Sequence, residues 1–304
     1  MLRAIAIVLA AATVVHAVVY RWRMMQARQR DAARLPIGRD GIITGAQPIT
    51  LRASKTHAVL LLHGFGDTPQ TVQLLAAHLH ATHGWTVHAP LLPGHGRTLA
   101  DFDHSGSTAW RDAVHRDYVA LKSQYTTVAL VGLSMGGALA TLEAALDPSL
   151  PALVLLAPYL TPPASAERLA PLAGVINFLM PYLAGGDRER SIFDPDARAR
   201  SLGYGGAPPK RVRDLVSVAH DARFAAADVR APTLLVNSRS DYRVPLPLAE
   251  QLPELFTSAT VLEQQWVTGC GHVITVDYCR EHVLALTSAW LERFAGAPTT
   301  ASLA

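Results

Sequence analysis

The sequence predicts an α/β fold: a mostly parallel central sheet with helices on both faces and a helical insertion between two later strands. Three observations predict it. From about residue 41 onward, short apolar runs alternate with helix-periodic segments. Several of those runs, at 58–62, 128–133 and 233–236, are apolar almost throughout, as strands covered on both faces are. The alternation then breaks over 159–228, where Pro162-Pro163, Gly185-Gly186, Gly205-Gly206 and Pro208-Pro209 surround helical pieces, and it resumes afterwards.

The chain begins with an apolar run at 4–20, broken only by Thr13 and His16, close to the minimum length that spans a bilayer as a helix. Arg3 alone precedes it, whereas Arg21, Arg23, Arg28, Arg30 and Arg34 follow, and Tyr20 and Trp22 sit where interfacial aromatics would. A secretory signal would carry its charge before the run and a small-residue cleavage site after it. Residues 1–22 are therefore expected to be a single transmembrane anchor, with a cleaved signal as the alternative, and 23–40 a polar tether. The arginine excess places the catalytic side in the cytoplasm.

Short opening strands are expected at Ile42-Ile43 and 49–51, and a buried strand at 58–62 running into His63-Gly64-Phe65-Gly66. Pro69 opens a helix whose Val72, Leu75, Ala76 and Leu79 recur at helical spacing. A strand at 85–89 leads into Pro93-Gly94-His95-Gly96, and Trp110, Val114, Tyr118 and Leu121 mark the next helix. After the strand near 128–133 comes Gly132-Leu133-Ser134-Met135-Gly136, then a helix to Leu146 and a strand at 152–156. Beyond the insertion follow a strand at 233–237, a helix at 247–256, a strand at 260–267 and a helix at 278–294. The core is thus 41–158 with 229–296, the insertion 159–228, and 297–304 a disordered tail.

A serine at a strand-to-helix reversal sits on a strained backbone with its hydroxyl pushed out of the sheet edge, and flanking glycines keep the turn open. Two other readings compete for this turn. One is a Gly-rich turn with a helix-capping serine. The other is a dinucleotide site, which wants an acidic residue at the end of the next strand; that strand ends instead in Ala157-Pro158. A serine hydroxyl needs a base, and the base an orienting group. Among 13 histidines, His272 in Gly269-Cys270-Gly271-His272 follows the last core strand in a glycine-flanked loop. Asp241 follows the strand 233–237 and emerges at the same sheet edge, where ligands gather in open α/β sheets. Asp277 is expected to cap the final helix. Ser134, Asp241 and His272 occur in the chain order nucleophile, acid, base. The backbone N–H groups of Met135 and Phe65 are candidate donors to an oxyanion, and His63 is expected to brace its loop.

His-Gly-Phe-Gly, Pro-Gly-His-Gly, Gly-Leu-Ser-Met-Gly-Gly, Asp241 and Gly-His-Val-Ile-Thr-Val-Asp together resemble the α/β-hydrolase superfamily, over about residues 57–294. Within it the chain is most similar to small bacterial carboxylesterases and monoacylglycerol lipases. The resemblance implies an α/β-hydrolase fold with an inserted helical cap over an acyl-binding pocket. It also implies a serine hydrolase that cleaves carboxylic esters through an acyl-enzyme. Ser134, Asp241 and His272 would be nucleophile, acid and base, with Phe65 and Met135 at the oxyanion hole. Gly66-Asp67-Thr68 departs from the usual continuation of the first loop and bears on the acyl and alcohol preference.

The implied partner is a small lipophilic acyl ester such as a monoglyceride, together with the membrane. No metal or organic cofactor is implied. A peptidase, thioesterase or acyltransferase on the same scaffold is the rival, and a non-catalytic hydrolase-like binding protein the remaining one. A net charge of +3 with no basic block interleaved with aromatics leaves no nucleic-acid footprint, and nothing assigns an oligomeric state. Cys270 and Cys279 are too few for a disulfide framework and are expected as free thiols, with a single bridge between them as the alternative. The apolar segment 175–183 is either a lipid-facing lid or packed on the core, and Trp85, Trp110, Trp266 and Trp290 fall at core-facing positions.

Overall fold

In the computed structural model, which describes residues 1–296, a seven-stranded sheet carries the molecule; the expected tail at 297–304 lies outside the described residues. The strands are β1 (Ile49–Leu51), β2 (His57–Leu62), β3 (Thr86–Ala89), β4 (Thr127–Leu133), β5 (Leu153–Leu156), β8 (Thr233–Ser238) and β9 (Leu262–Val267), with β6 (Leu183–Ala184) and β7 (Gly206–Ala207) forming a separate antiparallel pair. Their order is β1-β3-β2-β4-β5-β8-β9; β1 runs antiparallel to β3 and every other pairing is parallel. β2, β4 and β5 are apolar because both their faces are buried. β9, at the edge, is half-exposed along most of its length and carries Glu263, Gln264 and Gln265.

Strand alternation splits the core in two. Val59 and Leu61 face α2 (Gln73–His83) and the last helix, α12 (Arg280–Ala295), which contribute Leu75, Leu79, Trp290 and Leu291. Ala58, Leu60 and Leu62 face the other way. They meet Trp110, Val114 and Tyr118 of α4 (Ser107–Lys122), which follows the short α3 (Leu99–Asp103), and Leu139 of α5 (Met135–Leu146).

The excursion between β5 and β8 comprises α6 (Ala164–Leu169), α7 (Ala173–Leu179), α8 (Arg188–Ser191), α9 (Pro195–Arg200) and α10 (Pro209–Ala225). α10 differs from its companions. Its Val218, Ala219 and Ala222 are part of the main core, because two parallel neighbouring strands need a crossover helix packed on the sheet.

Three expectations change. Ile42-Ile43 forms no sheet strand; Ile43 makes an isolated bridge with Ile37. The helix expected at 247–256 breaks into α11 (Leu246–Ala249) and a 3-10 turn at Leu252–Leu255, because Pro253 lacks the N–H and disfavours helical backbone before it. The N-terminal helix α1 (Leu2–Arg34) continues well past the apolar run into the expected tether. It is long and apolar enough to cross a membrane by length and composition. Its last two turns dock on the insertion: Arg28 Nε donates to the Tyr182 hydroxyl at 3.0 Å, and Asp31 accepts the Gly205 N–H at 3.0 Å.

Candidate active site

The expected residues converge at the C-terminal edge of the sheet. β4 ends at Leu133, and Ser134 turns the chain into α5 at φ 56°, ψ −115°, a conformation non-glycine residues rarely adopt. The turn is held rather than loose. The Ser134 N–H donates to Leu156 O at 2.9 Å, and its carbonyl accepts the Tyr159 N–H at 3.1 Å. The two glycines of the motif are dictated by space. A Cβ on Gly132 would lie 2.2 Å from the Gly136 carbonyl oxygen, and one on Gly136 would lie 2.4 Å from that of Leu62.

Ser134, His272 and Asp241 form one hydrogen-bonded line. His272 Nδ1 lies 2.6 Å from Asp241 Oδ2, and its Nε2 lies 2.7 Å from Ser134 Oγ. A carboxylate only accepts, so Nδ1 carries the proton and Nε2 is left to accept from the serine hydroxyl. The other Asp241 oxygen accepts the N–H groups of Arg243 (2.7 Å) and Val244 (3.1 Å), which fixes the carboxylate. All three side chains are at least nine-tenths buried. Among the hydrogen bonds of the described residues, the N–H groups of Phe65 and Met135 donate to no protein acceptor. Met135 directly follows the serine and opens α5, whose dipole adds to its donor strength; Phe65 follows Gly64, where a Cβ would lie 3.4 Å from Ser134 Cβ.

His63 braces the first loop, as expected. Its Nδ1 bonds the Gly64 carbonyl at 2.9 Å, and its Nε2 accepts the Leu92 N–H at 3.1 Å. Burial pushes its imidazole down to about 4, so it is neutral at ordinary pH.

The loop carrying His272 differs from expectation in two ways. Asp277 does not cap α12, which starts at Arg280 with Cys279 before it. Its fully buried carboxylate instead accepts N–H bonds from Gly271, Phe193 and Tyr278 at 2.8, 2.8 and 2.9 Å, and from Asp194 at 2.8 Å. The carboxylate sits five residues after His272, following a mostly apolar stretch with Val273, Ile274 and Val276, and that contrast was the available signal. Cys270 and Cys279 are not free thiols; they form a disulfide across the base of the same loop. Their Cα atoms are 5.8 Å apart because the chain turns back at 273–277, a proximity that nine residues of sequence separation do not imply.

Ser134 opens onto a cavity of about 550 Å³. Leu133, Leu183, Ile192, Val212 and Leu215 supply apolar wall, and Asp67, Arg188 and Arg243 supply charge. Asp67 and Arg243 were not singled out as site residues from sequence, although the unusual first-loop continuation pointed at Asp67. Burial raises the Asp67 carboxyl to about 6, opposed by His272, Arg243, Arg188 and Arg34. A carboxyl whose folded value exceeds its ordinary 3.8 supplies stability at low pH and loses it as pH rises through about 6. Asp67→Asn removes that loss. It is expected to exceed the parent in stability by on the order of 2 kcal/mol at pH 8, with the gap closing below pH 4. Urea denaturation at the two pH values measures this; an equal gap at both would rule the ionisation out as the cause.

The model of the alpha/beta hydrolase family matches residues 59–283. The chain is 27% identical over 255 residues to a thermostable monoacylglycerol lipase from a Bacillus species, covering 84% of this chain and 98% of that one. It is 27% identical over 249 residues to a carboxylesterase of Bacillus subtilis, covering 81% and 96%. Among solved structures, a metagenome-derived lipolytic enzyme superposes with TM-score 0.73 at 26% identity, over 83% of this chain and 99% of that one. The monoacylglycerol lipase of Paleococcus ferrophilus shares the fold, with TM-score 0.69 at 22% identity over 80% and 97% of the two chains.

Proposed function

The chain belongs to the alpha/beta hydrolase family, and from that premise we propose that it is a membrane-anchored serine esterase cleaving lipophilic carboxylic esters, monoacylglycerols foremost. The observation that carries the reading is the Ser134–His272–Asp241 line opening onto a largely apolar cavity. Ser134 Oγ attacks the ester carbonyl while His272 Nε2 takes its proton, and Asp241 stabilises the imidazolium that results. The carbonyl oxygen becomes an oxyanion facing the Phe65 and Met135 N–H groups. Collapse of this intermediate breaks the ester bond; His272 returns the proton to the leaving alcohol and the acyl group stays on Ser134. A water, deprotonated by His272, then attacks the acyl-enzyme; as that intermediate collapses, His272 passes the proton to Ser134 Oγ and the acid is released. The apolar wall suits the acyl chain. Asp67 and Arg243 suit the hydroxyl-bearing alcohol.

The membrane part of the reading rests on exposure. Leu172, Val175, Phe178 and Leu179, on and beside α7, are each more than half exposed, so one face of this apolar helix is left uncovered. Phe178 stacks on His16 of α1 at 4.4 Å between ring centroids. An apolar ridge beside an apolar helix is the surface that lies in a bilayer interface. The side of the membrane follows from a contest between two effects. The arginines after the span favour the cytoplasm, but Arg28 and Arg34 are engaged in docking the insertion. The Cys270–Cys279 disulfide favours an oxidising compartment, and we place the catalytic domain there. In intact cells, an impermeant maleimide should label these cysteines only after an impermeant reductant is added; no labelling even with that reductant, but labelling once the cells are opened, would place them in the cytoplasm.

A hydrolysis profile tests the activity. Monoacylglycerols with medium or long acyl chains are expected to give higher kcat/KM than short-chain esters, thioesters or peptides. A preference for thioesters or peptides would overturn the ester assignment.

A further inference from the structure

The last turn of α1 braces a loop that forms part of the wall of the catalytic cavity. The Asp31 carboxylate is buried and accepts the Gly205 N–H on both oxygens, at 3.0 and 3.3 Å. Arg34 donates to the carbonyls of Ser201 (3.2 Å) and Gly203, and its guanidinium pairs with Asp31 at 3.4 Å. Two charged side chains of the N-terminal helix thus hold one loop, 201–205, of the insertion.

That loop leads to the chemistry. Ser201, Gly203 and Tyr204 line the cavity into which Ser134 opens. The Tyr204 N–H donates to the Gly66 carbonyl at 2.9 Å. Gly66 follows Phe65 and has φ +67°, a backbone free to swing unless something pins it. The Tyr204 ring stacks on Phe102 at 5.0 Å, and Phe102 meets the Phe65 ring at 5.2 Å. The Tyr204 hydroxyl is fixed in turn, donating to the Gly94 carbonyl at 3.0 Å and accepting the Arg97 N–H at 3.0 Å. The loop has no slack on either side. A Cβ on Gly205 would come within 2.9 Å of Asp31 Oδ1, and one on Gly203 within 2.9 Å of Asp67 Oδ1.

We infer that Asp31 and Arg34 are positioning residues for the oxyanion loop, acting through the 201–205 loop and the Tyr204-to-Gly66 hydrogen bond. The inference rests on the reading of Phe65 as an oxyanion donor. The physical consequence is specific. An N–H aimed at an oxyanion matters in the transition state and little in the bound ester, so displacing it lowers kcat more than it raises KM. Small displacements are costly: misplacement by about 1 Å lowers a rate by on the order of a hundredfold. The helix that carries the apolar run is by this account also a strut of the active site.

The test uses the full-length protein in detergent micelles with p-nitrophenyl butyrate as substrate. Arg34→Ala is expected to lower kcat about tenfold or more with KM within about twofold, and Asp31→Asn to act in the same direction. Arg34→Lys, which keeps a donor to the same carbonyls, is expected to recover part of the loss. Arg30→Ala removes the same charge from an exposed position one turn earlier on α1 and is expected to match the parent. An unchanged kcat in Arg34→Ala would overturn the inference. A raised KM at constant kcat would also overturn it, since it would show that the loop only shapes the cavity. If Arg34→Ala does not fold, the kcat of the near-isosteric Asp31→Asn decides between the same two outcomes. Failure of the esterase reading is separately visible, as an absence of ester hydrolysis in the parent protein.

Discussion

Ser134→Ala is expected to lower kcat/KM on a p-nitrophenyl ester by about four to six orders of magnitude, with the fold intact. The size follows from the geometry. With Oγ gone, His272 Nε2, now 2.7 Å from a nucleophile, faces only solvent or a methyl group. No acyl-enzyme forms, and only the oxyanion donors and binding contribute to the residual rate. The fold should survive because Ser134 holds its position with backbone bonds to Leu156 and Tyr159, which alanine keeps. The cost at φ 56° is no greater for alanine than for serine. The same variant should lose labelling by a fluorophosphonate probe while its thermal transition stays within a few degrees of the parent. Retained labelling would move the nucleophile to another residue.

Asp277→Ala is expected to cost stability rather than chemistry, by about 3–5 kcal/mol. The carboxylate accepts four backbone N–H groups, from Gly271, Tyr278, Phe193 and Asp194, and is fully buried. Alanine leaves those four buried N–H donors without their common acceptor. Two of them belong to the insertion and one to the residue before His272, so the variant should also loosen the base. The prediction is a clear fall in the denaturation midpoint, with kcat reduced among the molecules that remain folded. A change below about 1 kcal/mol would mean that water replaces the carboxylate and that the loop is held by other means. The disulfide and the Val273 N–H bond to Ser191 O at 3.0 Å are the alternatives.

The sheet was legible because burial on both faces leaves a strong composition signal: β2, β4, β5 and β8 each lie within two residues of their expected bounds. The trio was legible for a related reason. Each member follows a recognisable strand, and strand ends share one edge of a parallel sheet. What escaped was mostly side-chain partnership between distant segments. Asp277 looked like a cap because a cap is the nearest local use of an aspartate. Its actual donors at Phe193 and Asp194 lie more than eighty residues away. Asp31 and Arg34 looked like parts of a polar tether because their partners at 201–205 are far along the chain.

By itself, then, the sequence determined the α/β layering, the serine turn with its two space-limited glycines, and the order of the three groups along the strand ends. These depend on local composition, periodicity and the hand of a parallel sheet, all written in short windows of residues. Only the tertiary structure decided the disulfide under the His272 loop, the buried role of Asp277, the charged patch at Asp67 and Arg243, and the contact of α1 with the cavity wall. Each of those depends on which distant backbone groups arrive beside a given side chain. Closure of the fold settles that, and no single stretch of sequence encodes it.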